Sequence, residues 1–494
     1  MVLISSTSSV RTIARRPRRC ILVLEKKSTQ VMLPINSYTS LQKSVLVMVL
    51  LNALSVPIML SSVNVALPHI AADLELSALS VSWIPTAFLM ASAMFILVFG
   101  RLADMFGRKK IFLIGAVSVV FASILASLAT GAVSLIGARF LQGVGAAMLY
   151  ATQMAIVSSV FPLATRGRVI GLVISFIYIG LASGPLFGGI IVDQLGWSIN
   201  FLLQIPLAIL VFCIGFYKVE GDWAADERGV FDFTGALIYC LAIFIICIGA
   251  SFLPSSIGYV LMVAGLIGVG IFFRQARSSN HPLLDVKLFF TNRTFTFSAL
   301  ASLIMYSATF MNVVLLSLYL QYLKGLSPSA AGLIMMIQPL TMAVFSPLMG
   351  KLSDSIEPRI LSSAGMFVTA MGLVLLGMLN SNSQTSNIAI ALVVTGLGFS
   401  LFSSPNVNAI MSSVSRKHLG AAAAAVSTTR ILGQLFSMVL ITLIMALTFG
   451  ATQIEPANYF ELEKTIRFSF YLAAGLCVPG LFLSAVRGTI HSRQ

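Results

Sequence analysis

Charge is scarce in this chain. Only 10% of its 494 residues are Asp, Glu, Lys or Arg, 58% are hydrophobic, and the mean hydropathy is +0.97. So little polar surface cannot enclose a water-soluble core, which excludes a soluble globular protein and predicts a polytopic membrane protein. Acid is scarcer than base: 16 Asp and Glu against 31 Lys and Arg, a formal net charge of +15. All sixteen acids fall between the apolar runs or at their ends, Asp193 and Asp232 lying nearest the membrane. No carboxylate is therefore expected at mid-membrane to carry a proton or neutralise a cationic ligand.

Other absences narrow the chemistry. Four histidines (His69, His281, His418, His491) lack ligand spacing. Five cysteines (Cys20, Cys213, Cys240, Cys247, Cys477) are odd in number and mostly sit in apolar runs, so neither a metal site nor a disulfide framework is indicated. Gly350-Lys351 is followed by Leu352, so the chain has no phosphate-binding loop and no means of hydrolysing ATP in cis. No acid, base and metal ligand converge. Catalytic residues, cofactors and enzymatic activity are not expected.

What is present is about fourteen apolar runs of membrane-spanning length. With the N-terminus inside, 26 of the 31 Lys and Arg fall in cytoplasmic segments; Lys324, Lys464 and Arg467 fall outside, and Arg139 and Arg430 lie within spans. This asymmetry is the positive-inside pattern and places both termini in the cytoplasm. The positive charge thus reads as topology and attraction to anionic lipid, not as a nucleic-acid signal.

The chain also repeats itself. The frame of Gly100-Arg-Leu-Ala-Asp-Met-Phe-Gly-Arg-Lys-Lys110 returns at Gly350-Lys-Leu-Ser-Asp354, and Ala155-Ile-Val-Ser-Ser-Val160 returns at Ala409-Ile-Met-Ser-Ser-Val414. Both echoes lie about 250 residues apart, which is two helices more than a six-helix repeat needs; duplicated halves are a common plan of secondary transporters. The expected layout is a basic tail at 1–43, a six-helix bundle at 44–218 and two inserted helices at 219–273. A polar connector at 274–294, expected along the membrane surface, leads to a second six-helix bundle at 295–487 and a short tail at 488–494.

In motif order and spacing the chain resembles the major facilitator superfamily, in its fourteen-helix drug:proton antiporter branch. Gly100–Lys110 resembles the loop signature after the second helix, Arg139-Phe-Leu-Gln-Gly143 the fourth-helix motif, and Gly180-Leu-Ala-Ser-Gly184-Pro-Leu-Phe-Gly-Gly189 the fifth-helix antiporter motif. Asn64-Val-Ala-Leu-Pro68 resembles the end of the first helix. The resemblance implies an all-α major facilitator fold and export of amphipathic molecules or drugs across the plasma membrane by alternating access, coupled to protons.

Each motif carries a functional reading and a plainer one. Gly100, Asp104, Gly107, Arg108 and Lys109, with Asp354 in the echo, form either a gate at the cytoplasmic face or a positive-inside turn. Gly180, Gly184, Gly188 and Gly189 with Pro185 form either the antiporter bend or simple close helix packing. Arg139 with Gln142, and Arg430 in the second half, serve either a proton and substrate network or structural hydrogen bonding; a buried arginine costs roughly 2.5–3.5 kcal/mol to insert and needs protein or a wet cavity around it. Asn64, Trp83, Gln153, Tyr306, Asn312, Gln338, Asn406 and Asn408 are cavity candidates or interhelical glue.

One departure from the family pattern stands out. Where the branch carries an acid in the first helix, five positions before Asn64, this chain has Met59. A cavity reached by Arg139 and Arg430 without carboxylates is expected to be electropositive and to favour neutral, zwitterionic or anionic amphiphiles. A non-transporting sensor on a transporter fold is the alternative from another class. A monomer, in contact with substrate, protons and lipid, is expected. The Arg- and Ser-rich first forty residues are consistent with a basic tail, a transit peptide or a start at Met32.

Overall fold

The computed structural model describes residues 38–224, 230–279, 282–284, 286–415, 419–450 and 452–489, without the side chains at 163, 164 and 419–421. The described residues from 40 onward form one compact unit. Most of the basic tail at 1–43, Arg228 of the second linker, His281 and Asp285 of the connector, and Arg416 and Lys417 lie outside the described residues.

Among the described residues, fourteen helices are long and apolar enough to cross a bilayer: α1 Ser40–Asp73, α2 Ala78–Phe106, α3 Arg108–Ser127, α4 Ala132–Val160, α5 Thr165–Leu195, α6 Trp197–Tyr217, α7 Phe233–Ser251, α8 Ser256–Ser278, α9 Arg293–Leu323, α10 Pro328–Leu352, α11 Pro358–Gly377, α12 Thr385–Ser412, α13 Ala422–Thr448 and α14 Pro456–Val486. Their starts are chemically marked. Ser77, Asp232, Ser255, Asn292 and Ser327 each accept a backbone N–H of the first turn through their side chains, and Pro328 and Pro358 occupy first-turn positions where no donor is needed. The α1 helix begins four residues before the expected bundle boundary at 44.

Helix pairing repeats with an offset of eight. In the first half α1 packs on α5 and α6, α2 on α4, and α3 on α4 and α6; in the second α9 packs on α13 and α14, α10 on α12, and α11 on α12 and α14. Small residues set the closest approaches. A Cβ at Gly180 would lie 2.6 Å from the Leu54 carbonyl oxygen, and one at Gly433 would lie 2.5 Å from that of Leu303, in the equivalent pairs α1/α5 and α9/α13. The inserted α7 and α8 pack on each other; α7 also touches α2 and α13, held by Tyr239 donating to the Ala93 carbonyl (2.8 Å) and Trp83 donating to Ser251 (2.9 Å).

Two buried arginines tie the bundles internally. Arg139 donates to the Ile84 carbonyl (3.2 Å) and to Gln142 (2.7 Å), and lies over the Phe88 ring; Gln142 and Gln204 both donate to Ser123, so α2, α3, α4 and α6 are joined. Arg487, just past α14, donates to Asn406 (2.5 Å), Ser298 (3.3 Å) and Ser362 (3.2 Å), while Asn406 donates to Ser302 (2.9 Å). Burial pushes the Arg487 guanidinium down to about 10, with Glu357 opposing the shift, so it stays charged at neutral pH.

Candidate functional site

The two halves meet firmly at the end of the molecule away from the basic loops. Along α5/α10, Asp193 accepts from the Ser329 N–H (2.9 Å) and from its hydroxyl, and added Cβ atoms at Gly189 and Gly332 would lie 2.4 and 2.2 Å from the carbonyl oxygens of Pro328 and Pro185. Along α2/α13, Thr442 contacts Ser82 and Thr86 (both 3.2 Å), and Ala78 donates to the Thr452 carbonyl (3.0 Å). A π-turn at Tyr319–Leu323 ends α9 and lets Gln321 donate to the Val65 carbonyl of α1 (2.8 Å). Toward the basic end the halves separate around connected chambers instead.

The central chamber, roughly 1100 Å³ of atom-free space counting its mouth, lies between α1, α4 and α5 of one half and α9, α10, α12 and α13 of the other. It shares Leu181, Tyr306, Met342, Phe399 and Gln434 with a deeper chamber, and Tyr150, Met154, Ala423 and Ser427 with a third that reaches the α2/α3 loop. Its walls are mainly apolar and aromatic. Phe399 meets Tyr306 edge-on at 5.3 Å between ring centroids and Tyr178 at 6.4 Å, and Tyr178 bonds Ser403 across the halves (2.7 Å).

Of the cavity candidates, Gln153 and Tyr306 line the central chamber, and Tyr306 and Gln338 the deeper one. The other five do not line either chamber and make interhelical or local contacts. Asn64 donates to Leu60, Trp83 to Ser251, Asn312 to Gln338, Asn406 to Ser298 and Ser302, and Asn408 to Ser353. Gln434, one turn from Arg430, is also a polar wall residue, and Asn52 and Tyr150 are polar wall residues that the sequence does not mark. No motif marks Asn52: it interrupts an apolar run, with Val45–Leu51 before it and Ala53 and Leu54 after, whose faces look alike.

The expectation that two arginines reach the cavity is corrected to one. Arg430 lines the central chamber, its guanidinium 5.5 Å from the centre of the Tyr150 ring, whereas Arg139 is absent from all three chambers and is turned into the α2/α3/α4 interface. Met59 is also buried outside these walls, where α1 contributes Asn52, Val56 and Leu60. What empties the two inner chambers of acid is therefore the whole wall, not the one substitution.

At the mouth, Arg108 binds Asp104 through two hydrogen bonds (2.8 and 3.0 Å) and reaches Ser159 and the Ala155 carbonyl of α4. Gly107, with φ +113°, makes the sharp turn into α3 but has no side chain to cap it. Asp222 of the linker to α7 supplies the cap, accepting from Lys109 N (2.8 Å) and Lys110 N (3.4 Å). Lys109 in turn donates to the Val219 carbonyl. All these partners belong to the first half or its linker; Asp104 and Arg108 face α13 across the third chamber. In the second half Asp354 is exposed. Pro282–Leu284 of the connector line that chamber.

Asp222→Ala should strip the first turn of α3 of its acceptor and destabilise the protein by about 1 kcal/mol, read as a lower thermal midpoint in detergent. An unchanged midpoint would mean that the cap carries no stability.

A family model described as the Major Facilitator Superfamily matches residues 49–272 and 298–491. The chain belongs to the major facilitator superfamily. Relatives of this major facilitator include a riboflavin transporter, RibZ, of Clostridioides difficile (29% identical, over 86% of this chain and 92% of the relative). An uncharacterized transporter of Escherichia coli, YebQ, is 32% identical over 77% of this chain and 84% of its own, and the multidrug resistance protein Stp of Mycobacterium tuberculosis is 29% identical over 82% and 75%. A crystal structure of a POT family transporter shares the fold, with a TM-score of 0.68 at 15% identity, over 90% of this chain and 95% of that one. The protein is a multi-pass membrane transporter.

Proposed function

We propose that this major facilitator exports amphipathic small molecules across the plasma membrane by alternating access, with its basic end and both termini in the cytoplasm. The observation that carries this reading is the pair of opposed ends: firm closure of the halves at one, connected chambers between them at the other. Rocking one half against the other about the central chamber would exchange these ends. A single chain holds both halves, which supports a monomer.

The family resemblance favours proton antiport. The carboxylates placed to serve it are Asp104 at the mouth and Asp193 at the closure, because the inner chambers have none among the described residues. That same observation favours a second reading, export of neutral or anionic substrates without a carboxylate-borne proton, and we prefer it. Purified protein in proteoliposomes should move an amphiphile such as a naphthalene sulfonate at least about ten times faster than empty liposomes. Absence of flux for cationic, neutral and anionic amphiphiles alike would favour a non-transporting sensor.

A further inference from the structure

Three arginines are embedded in or against the helix bundles, and they are treated differently. Arg139 and Arg487 are almost fully buried and held by hydrogen bonds from neighbouring helices. Arg430 is half-buried in the chamber wall, with the Tyr150 ring beneath it and no hydrogen bond among the described residues. A ring face compensates a guanidinium only partly, and no acid among the described residues lines either inner chamber.

Two further donors line the same chamber. Gln153 accepts from Asn52 through its oxygen (2.6 Å), which leaves its Nε2 buried and unpartnered in the chamber wall. Gln434, one turn after Arg430 on α13, is buried, lines both inner chambers and makes no hydrogen bond among the described residues. Arg430, Gln153 and Gln434 give this wall positive charge and amide donors with no carboxylate among the described residues, which suits a group that bears acceptors and negative charge.

We infer that Arg430, with Gln153 and Gln434, forms an anion subsite, and that the cargo is an aromatic or otherwise apolar small molecule carrying one negative charge. This inference rests on the transport reading above. The charged group of the ligand pairs with Arg430, its remaining acceptors take the two amides, and its apolar body packs against Tyr306 and Phe399. Gln153 belongs to α4 and Arg430 and Gln434 to α13, so the ligand bridges the two halves. A cation of the same size meets an unneutralised guanidinium and no counter-charge.

The test is calorimetric titration of the purified full-length protein with three size-matched probes: naphthalene-2-sulfonate, its trimethylammonium counterpart and neutral 2-naphthylmethanol. The sulfonate should bind about 10- to 100-fold more tightly than the ammonium. Arg430→Gln should erase that ratio while the affinity for the alcohol persists, and Arg430→Lys should keep the order of the two ions. An ammonium that binds as well as the sulfonate, or an Arg430→Gln ratio equal to that of the wild type, would overturn the subsite. Should Arg430→Gln also lose the alcohol, the lysine variant decides: reversal of its ion preference counts against the subsite, and retention supports it. Because binding needs no turnover, the two readings fail separately. Sulfonate preference without flux would refute transport alone, and ethidium flux without sulfonate preference would refute the subsite alone.

Discussion

Gly332→Leu should cut transport by about 5- to 150-fold without unfolding the protein. Even a single Cβ at this position would lie 2.2 Å from the Pro185 carbonyl oxygen and 2.9 Å from its carbon, across the seam between the halves. Backbone cannot yield there as a flexible side chain would, so the leucine must push α10 away from α5. Overpacking of this kind costs roughly 1–3 kcal/mol, borne only by the conformation in which this end is closed. The population then shifts toward the splayed form by about 5- to 150-fold, and flux should fall by a similar factor. Gly189→Leu strikes the same seam from the other side. Gly184→Leu is a different lesion, because its Cβ would meet Ser61 of α1 within one bundle; it should lower the yield of folded protein. Gly475→Ala, with nothing within 4 Å, should leave both flux and yield unchanged. Wild-type flux in Gly332→Leu would mean that closure at this seam is not part of the cycle.

The second large effect concerns the driving force. If the cargo is a monoanion held by Arg430 and no chamber carboxylate exchanges a proton for it, each outward step carries one negative charge. A cytoplasm-negative potential of about 100 mV favours that step by about 2.3 kcal/mol, or roughly 50-fold in the gradient it sustains. Proteoliposomes loaded with naphthalene-2-sulfonate and given a potassium diffusion potential should therefore release or retain it according to the sign of the potential, with no pH gradient present. Imposing a pH gradient at zero potential should change little. Flux that follows the pH gradient and ignores the potential would instead assign coupling to a carboxylate outside the inner chambers, with Asp104 and Asp193 as the residues to replace first.

The sequence was most informative where the physics is local or repeated. Helix length and the exclusion of charge from the bilayer determine the spans, so fourteen helices could be counted before any contact was known. The two echoes also fall on paired elements: Gly100–Lys110 and Gly350–Arg359 join α2 to α3 and α10 to α11, while Ala155–Val160 and Ala409–Val414 end α4 and α12. Glycine spacing in α5 gave a close-packed face, but not that Gly180, Gly184 and Gly188 meet α1 whereas Gly189 meets α10 of the other half.

Side-chain direction was harder to read. In a soluble helix, polarity reveals the buried face; here lipid-facing, core and cavity-lining positions are all apolar, so Phe399 and Ile174 look like any membrane residue. Polar residues are ambiguous for the opposite reason, since a span rewards any internal partner. Asn406 thus holds Arg487 while Gln153 lines the chamber. The capping of α3 by Asp222 escaped notice because the two are over a hundred residues apart and no local pattern joins them.

The central claim is that the chamber opens to one side at a time, and Ser403, in its wall beside Tyr178, reports on that most directly. In a cysteine-free background, Ser403→Cys should react with a membrane-impermeant maleimide from the face that carries the basic loops and be protected from the opposite one. In Gly332→Leu the accessible face should reverse. Equal labelling from both faces in the wild type, or from the basic face regardless of the leucine, would contradict alternating access.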